Sequence, residues 1–399
     1  MLGRIKRMPV LGHRPVGELN MRIQSLLLGS AAALVAVSGA RAADAVIIAE
    51  PEPVEYVRVC DVFGTGFFYI PGTETCLRFD GYVRYRVGAS EDVDGWFKRT
   101  RVRLNVDTRS ETELGMLRGF MRFQADWGNG STGSNGTITN DGNVGIDQAV
   151  VQLGGFYAGY TDSVFSEPWG IPGPAGAGGI LQTDQAGMYA DQQRHQIGYI
   201  FNGGNGFFGS IALEDDNHLG DTDLPVDDRN IGESDGYVPD VTSIIGLNQA
   251  WGAVWGGAGY DESASAFGLR AGLQWNMPNS PDSSFRFGGW YASDPNAYAV
   301  EMPIDGLAEW SLAASYHQQF NPQWGAELGA QYMNSFDDPM FGGDATGYLV
   351  EAAVVWAPVT NFDIRLEGHW YQQDDVLQAD GSVADEETWD GFLWFRRSF

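Results

Sequence analysis

From Phe79 onward the chain alternates apolar and polar residues with a period of two. Val83, Tyr85 and Val87 fall on one side, and Asp80, Tyr82, Arg84 and Arg86 on the other. Val102, Leu104 and Val106 oppose Arg99, Arg101, Arg103, Asn105 and Asp107. Leu117, Met121 and Phe123 oppose Arg118, Arg122 and Gln124, and Ala149, Val151 and Leu153 oppose Gln148 and Gln152. Near the end, Phe362, Ile364 and Leu366 oppose Asn361, Asp363, Arg365 and Glu367. Successive side chains of a strand point to opposite faces, so each segment reads as a strand with one greasy and one polar face. Turn signals sit among them: Asn202-Gly203-Gly204-Asn205-Gly206, Gly256-Gly257, Asn321-Pro322 and Asp380-Gly381. No stretch of the repeating region carries a helical period. The pattern predicts an all-β, antiparallel protein.

The start of the chain is different. Arg4, Lys6, Arg7, Arg14 and Arg22 precede the apolar run 26–40, and Ala40-Arg41-Ala42 fits a small-x-small cleavage site. This is the layout of a secretory signal peptide, assigned to 1–42. Met21 opens a complete signal by itself, so 1–20 reads as an upstream mis-start. No later run is apolar enough for a membrane helix, which leaves open a barrel whose alternating strands hide from hydropathy windows.

Alternation alone fits a secreted sandwich or an outer-membrane barrel. Composition separates them. The chain has 399 residues, 54 of them glycine, and is 13% aromatic but only 19% charged, which argues against disorder and coiled coil. Arginines recur on the polar faces, which suits a watery lumen. Trp251, Trp255, Trp275, Trp290, Tyr291, Trp310, Trp324, Trp356, Trp370 and Tyr371 lie near segment ends, as aromatic girdles at two membrane interfaces would. Trp389, Gly391, Leu393, Phe395 and Phe399 share one parity in a closing strand that ends on an aromatic. These features together predict a transmembrane β-barrel over 77–399. At roughly 10 residues per strand plus turns and loops, that length suits about 16 strands, enough to leave an aqueous channel.

Several stretches resemble the general porin family of alphaproteobacteria, typified by Brucella and Rhizobium porins. They are VEYVRVCDVFGTGFFYIPGTETCLRFDGYVRYRV (54–87), SETELG (110–115), VVQLGGFYAGYTDSVFS (150–166), GYIFNGGNGFFGSIALED (198–215), and the terminal FRRSF (395–399). The resemblance implies a sixteen-stranded barrel in the outer membrane of a Gram-negative bacterium and assembly as a homotrimer. It also implies passive diffusion of small hydrophilic solutes, and one long loop folded inward to narrow the pore.

The candidate pore residues follow from parity. Arg78, Arg84, Arg86, Arg99, Arg101, Arg103, Arg118 and Arg122 share the lumen side of adjacent strands and would form a basic wall. On the lipid face each would cost roughly 2–4 kcal/mol near the midplane. The family's constriction loop corresponds to 161–191, rich in Gly and Pro, and carries Asp162, Glu167, Asp184 and Asp191. Carboxylates facing the arginines would set up a transverse field. The run GIPGPAGAGG within it is poor in acid.

Cys60 and Cys76 are the only cysteines. In an exported chain a disulfide is the default reading, stapling a periplasmic lead-in, 43–76, to the first strand; two free thiols are the alternative. The net charge of -28 becomes -33 once 1–42, with six basic residues and one acid, is removed. Such acidity repels nucleic acid. The acid-rich stretches 214–240 and 374–387 read as extracellular loops. No nucleophile–base set or metal-ligand spacing stands out, so no enzyme activity, cofactor or metal is expected. The expected partners are small hydrophilic solutes, outer-membrane lipids and lipopolysaccharide, and the barrel assembly machinery through the strand ending in Phe399. A substrate-selective channel, or a non-conducting barrel serving as adhesin or anchor, are the alternatives to a general diffusion porin.

Overall fold

The computed structural model describes residues 58–91, 95–129, 141–171, 173–176, 179–215, 237–280, 282–337, 345–378 and 382–399. The signal assigned to 1–42, most of the acid-rich stretch 214–240 and the Asp380-Gly381 turn lie outside them. The long strands are β1 (Cys76–Ser90), β2 (Phe97–Thr112), β3 (Gly115–Asn129), β4 (Asp141–Leu153), β5 (Phe156–Asp162), β6 (Gln193–Asn202), β7 (Phe207–Asp215) and β8 (Asp240–Gln249). They continue as β9 (Gly252–Asp261), β10 (Ala266–Asn276), β11 (Ser284–Ala292), β12 (Leu307–Asn321), β13 (Trp324–Ser335), β14 (Thr346–Val359), β15 (Phe362–Leu377) and β16 (Val383–Ser398). Each pairs antiparallel with its neighbours in the chain. β16 then pairs with β1, from Asp390 opposite Ser90 to Ser398 opposite Tyr82, and the sheet closes into a barrel of sixteen strands. Closure leaves no strand at a sheet edge, which matters where acyl chains cannot accept or donate hydrogen bonds.

The two rims differ. Residues 113–114, 154–155, 250–251, 322–323 and 360–361 are two-residue turns at one rim, where β1 also begins and β16 ends. The opposite rim carries the longer connections, above all 163–192. Short turns mark the periplasmic side of such barrels and long loops the outside.

The parity read from the sequence holds around the wall. Val83, Leu328, Val350 and Leu366 are exposed on the outer face, while Arg84, Gln152, Gln331 and Glu351 are buried on the inner one. Two aromatic girdles bound the outer apolar band. Trp324 stacks on Trp356 at 5.5 Å at the short-turn rim; Trp310, Tyr332 and Tyr348 pack at 5.2 Å spacings toward the other. Eight residues separate Trp324 from Tyr332 on β13. At roughly 3.3 Å per residue and a tilt near 40°, that is about 20 Å of height, close to the expected apolar band.

Three of the aromatics assigned to the girdles are not in them. Trp255, Trp290 and Tyr371 are buried on the inner face, because their parity in β9, β11 and β15 is the lumen parity. Gly256-Gly257 is also not a turn: both lie within β9. Gly257 faces inward, and a Cβ there would come within 3.1 Å of the Ser243 carbonyl oxygen. A glycine pair in a strand can mark close packing as readily as a turn.

Cys60 and Cys76 form a disulfide. It ties the segment before β1 against the inner wall at the short-turn rim. Phe67 is buried there between the Arg78 and Arg109 guanidiniums, at 4.8 and 4.9 Å from its ring. Leu366 sits midway along the outer face of β15, so Leu366→Arg should cost about 2–4 kcal/mol of folding free energy, read by urea titration of the protein folded into vesicles.

Candidate functional site

β5 is only seven residues long, so the chain leaves the wall partway up and turns into the lumen. Ser163 Oγ and the Val164 N–H donate to the Glu214 carboxylate at 2.7 and 2.8 Å and start the loop inward. The loop then lays its apolar side on the inner wall. Val164, Phe165, Trp169, Ile171, Ile180, Leu181 and Met188 are buried in one cluster with Ile200, Phe208, Ile244, Trp255 and Trp290. The described part of the acid-poor run, 170–171, 173–176 and 179, belongs to this contact: Ile171 and Ala175 are buried in the same cluster. A Cβ on Gly173, whose φ is +88°, would meet the Asn248 amide at 2.5 Å.

The far end of the loop is held by the opposite wall. Glu351 on β14 accepts the Thr183 hydroxyl and the Gly187 N–H, the latter at 3.0 Å. Glu367 on β15 accepts the N–H groups of Asp184 and Gln185 at 3.0 and 3.1 Å. Gln331 on β13 both accepts from Met188 N–H at 2.9 Å and donates to its carbonyl at 2.8 Å. Glu367 is itself bracketed by Arg365 at 2.8 Å and His369 at 2.9 Å. Asp184 then reaches β1, where Arg84 approaches its carboxylate at 3.1 Å and Arg86 also binds it. The loop thus crosses the lumen from β5 to β1.

A second loop, unanticipated from sequence, supports the first. The connection 293–306 between β11 and β12 also folds inward. Tyr298, 1% exposed, packs on Phe165 at 5.2 Å and donates its hydroxyl to Asp240 at 2.8 Å. Gly259 must be small here, since a Cβ would meet the Tyr298 ring at 2.6 Å. Glu214 and Asp240, read from sequence as parts of an extracellular loop, are in fact buried wall residues that anchor these two loops. Lumen parity at the ends of β7 and β8 was the signal that could have revealed them.

All eight arginines singled out from sequence face the interior, and Arg109 joins them. They fall into four groups, each around one carboxylate. Near the short-turn rim, Arg78, Arg109 and Arg118 converge on one buried carboxylate, Asp107, at 3.6, 2.7 and 3.0 Å. Arg84 and Arg86 rest on the faces of Trp394 and Phe392, at 4.5 and 3.8 Å, and take Asp184. Arg99 and Arg101 share one oxygen of Asp126 at 2.7 and 2.8 Å, while Arg103 and Arg122 approach Asp147 at 3.8 and 3.4 Å.

Of the four loop acids, Asp184 contacts the arginine wall directly. The other three, Asp162, Glu167 and Asp191, lie together and feel Arg103 and Arg122 across the gap. Burial, reinforced by the negative charges of Asp162 and Asp191, pushes the Glu167 carboxyl up to about 7. Burial, with the Asp147 charge, also raises Asp191. An arginine ladder on β1–β3 thus lies across the gap from a patch of carboxylates on the loop.

A closed barrel with a greasy belt outside, a charged interior and a loop pinned across it is an outer-membrane channel. Comparisons with known proteins place it further. The porin subfamily matches residues 44–392. Porin Omp2b of Brucella neotomae is 36% identical over 397 residues, covering 95% of this chain and all of that one. In fold, the chain is similar to the outer-membrane channel DcaP of Acinetobacter baumannii, with a TM-score of 0.61 at 12% identity over 83% of this chain and 99% of that one. It is also similar to OmpF of Salmonella typhi, with a TM-score of 0.55 at 10% identity over 82% and 98%. The chain belongs to the porin subfamily; it is a general diffusion porin of the Gram-negative outer membrane. Porins of this family and fold are channels rather than enzymes.

Asp184→Asn removes the charge that holds the loop tip to Arg84 and Arg86. Losing hydrogen bonds to charged groups weakens such a hold by about 1.5–3 kcal/mol, and single-channel records should show more current noise than wild type. Glu167 loses its negative charge as pH falls through about 7. Cation preference, read as reversal potential in a KCl gradient, should therefore decline between pH 8 and pH 6, and Glu167→Gln should flatten that step.

Proposed function

We propose that solutes are sorted at the gap between the arginine ladder and the loop acids. Arg99, Arg101, Arg103 and Arg122 form its positive side, and Asp162, Glu167 and Asp191 its negative side. Arg84, Arg86 and Asp184 are the tie that sets its width, and Arg78 and Arg118 brace the periplasmic rim through Asp107. A dipolar, well-hydrated solute lowers its energy by aligning with this field. An apolar one displaces ordered water and gains nothing in return, so small hydrophilic solutes pass down their gradient. The observation that carries this reading is the opposition of the two charge sets across a loop anchored at both walls.

The same reading covers the rest of the chain. Residues 1–42 act as the export signal, and 43–76 as a periplasmic lead-in stapled by the disulfide. The strand ending in Phe399 is the segment that the barrel assembly machinery engages. The outer belt meets lipids and, in the outer leaflet, lipopolysaccharide. β5 falls short of the 9–11 residues roughly needed to cross a bilayer, and neighbouring copies in a homotrimer would cover that low stretch of wall. No reaction is assigned: His369 is committed at both ring nitrogens, to Asp390 and Glu367.

Reconstitution into planar bilayers tests the reading. Folded protein should give stepwise conductance; silent membranes would refute a channel. Neutralising Arg99, Arg101 and Arg103 together should shift the reversal potential toward cations by several-fold in permeability ratio. An unchanged potential would place the sorting elsewhere in the lumen.

A further inference from the structure

Below the inward loop, on the periplasmic side, lies a polar cavity of about 370 Å³. Leu181, Gln182 and Thr183 of the loop form its roof. Asp282, Ser284 and Arg286, from the 277–283 turn and β11, form its wall. Most of its polar groups are already engaged. Ser284 donates to Gln182 at 2.8 Å. Glu327, which also borders the space, is held by Arg365 at 2.6 and 3.1 Å and by His317 at 3.3 Å.

Two charged groups here make no ion pair, although the Glu327 carboxylate acts on Arg286 through space. Every ladder arginine on β1–β3 meets a carboxylate. Arg286 instead spends its Nε–H on the Gln274 amide oxygen at 2.8 Å and one Nη1–H on the Gly179 carbonyl at 3.4 Å. Among the described residues no carboxylate pairs with it, and its Nη2 has no acceptor. Asp282, four residues before Arg286 on the same wall of the cavity, likewise has no hydrogen-bond or ion-pair partner among the described residues. Its φ of +65° presents it from a tight turn. The two opposite charges border one space yet do not pair with each other.

We propose that this cavity is a weak binding subsite for zwitterionic solutes of amino-acid size. Arg286 Nη2 would receive the solute carboxylate and Asp282 its ammonium group. The inference rests on the channel reading above and adds a specificity to it. A simple anion would bind Arg286 but meet the charges of Asp282 and Glu327. A simple cation would meet the reverse. Only a dipole matches both charges, and a partly hydrated ion pair at each end keeps the hold weak enough for release.

Swelling of proteoliposomes separates the possibilities, with L-alanine, erythritol and sodium propionate as osmolytes. Wild type should admit alanine faster than erythritol. Arg286→Gln and Asp282→Asn should each lower the alanine rate by about two- to fivefold, the worth of one solvated ion pair, and leave the erythritol rate unchanged. Asp282 sits in a surface turn, so its variant tests the idea even where the arginine variant folds poorly. Alanine rates unchanged in both variants would overturn the subsite, as would equal loss for erythritol. A loss confined to Arg286→Gln and shared by propionate would overturn it in favour of an anion site. A wild type that conducts no KCl and swells with no osmolyte would instead sink the channel reading itself.

Discussion

A long loop stays inside a water-filled cylinder only if part of the inner wall is not polar. Here that part is the stretch from β6 to β11, where Ile200, Phe208, Ile244, Trp255 and Trp290 point into the lumen. The loop covers them with Phe165, Ile171, Ile180 and Leu181. Removing this apolar surface from water is the main driving force for the inward fold. The loop's backbone groups then need partners away from bulk water, and Glu351, Glu367 and Gln331 supply them. Without the apolar half-wall the loop would have no reason to enter. Without those side chains it could not afford to stay.

The same contact divides the lumen by charge. Once the loop occupies the apolar side, the space left for solute is bounded by the arginines of β1–β3 and by the loop's own outer acids. The arginines tolerate this crowding because each is paired or stacked: Asp107 and Asp126 take several guanidiniums, and Trp394 and Phe392 lend their faces to Arg84 and Arg86. Guanidinium is weakly hydrated and planar, so it sits in such a wall at less cost than an ammonium would. On the facing loop, Glu167 has fellow acids for near neighbours, so its charge is set by pH as well as by position. On the proposed reading, the field across the gap has one fixed pole and one adjustable pole.

The second inward loop changes how the first must be viewed. Tyr298 wedges against Phe165 and is seated by the Asp240 carboxylate. The connection then reaches β15, where Gln373 accepts the Ile304 and Asp305 N–H groups at 3.0 and 3.1 Å. The constriction is thus a two-layer structure, buttressed from above, rather than a single strap.

Much of this was legible in the chain. Alternation is a local property, so it reported which residues face water and which face lipid strand by strand, and it gathered the arginines onto one side of β1–β3. Cys60 and Cys76, with no other thiols, reported their own pairing. Other local cues misled where they had two meanings, as with Trp255, Trp290 and Tyr371, aromatics near strand ends whose parity faces inward, and Gly256-Gly257, a glycine pair inside a strand. What sequence alone could not decide was who meets whom across the lumen. Asp184 finds Arg84 and Arg86 from about 100 residues away, and Glu351 and Glu367 hold the loop tip from farther still. Those partnerships depend on barrel closure, which brings β14, β15 and β1 around to face β5. A ring has no counterpart in a linear pattern, so contacts made across it belong to the tertiary structure alone.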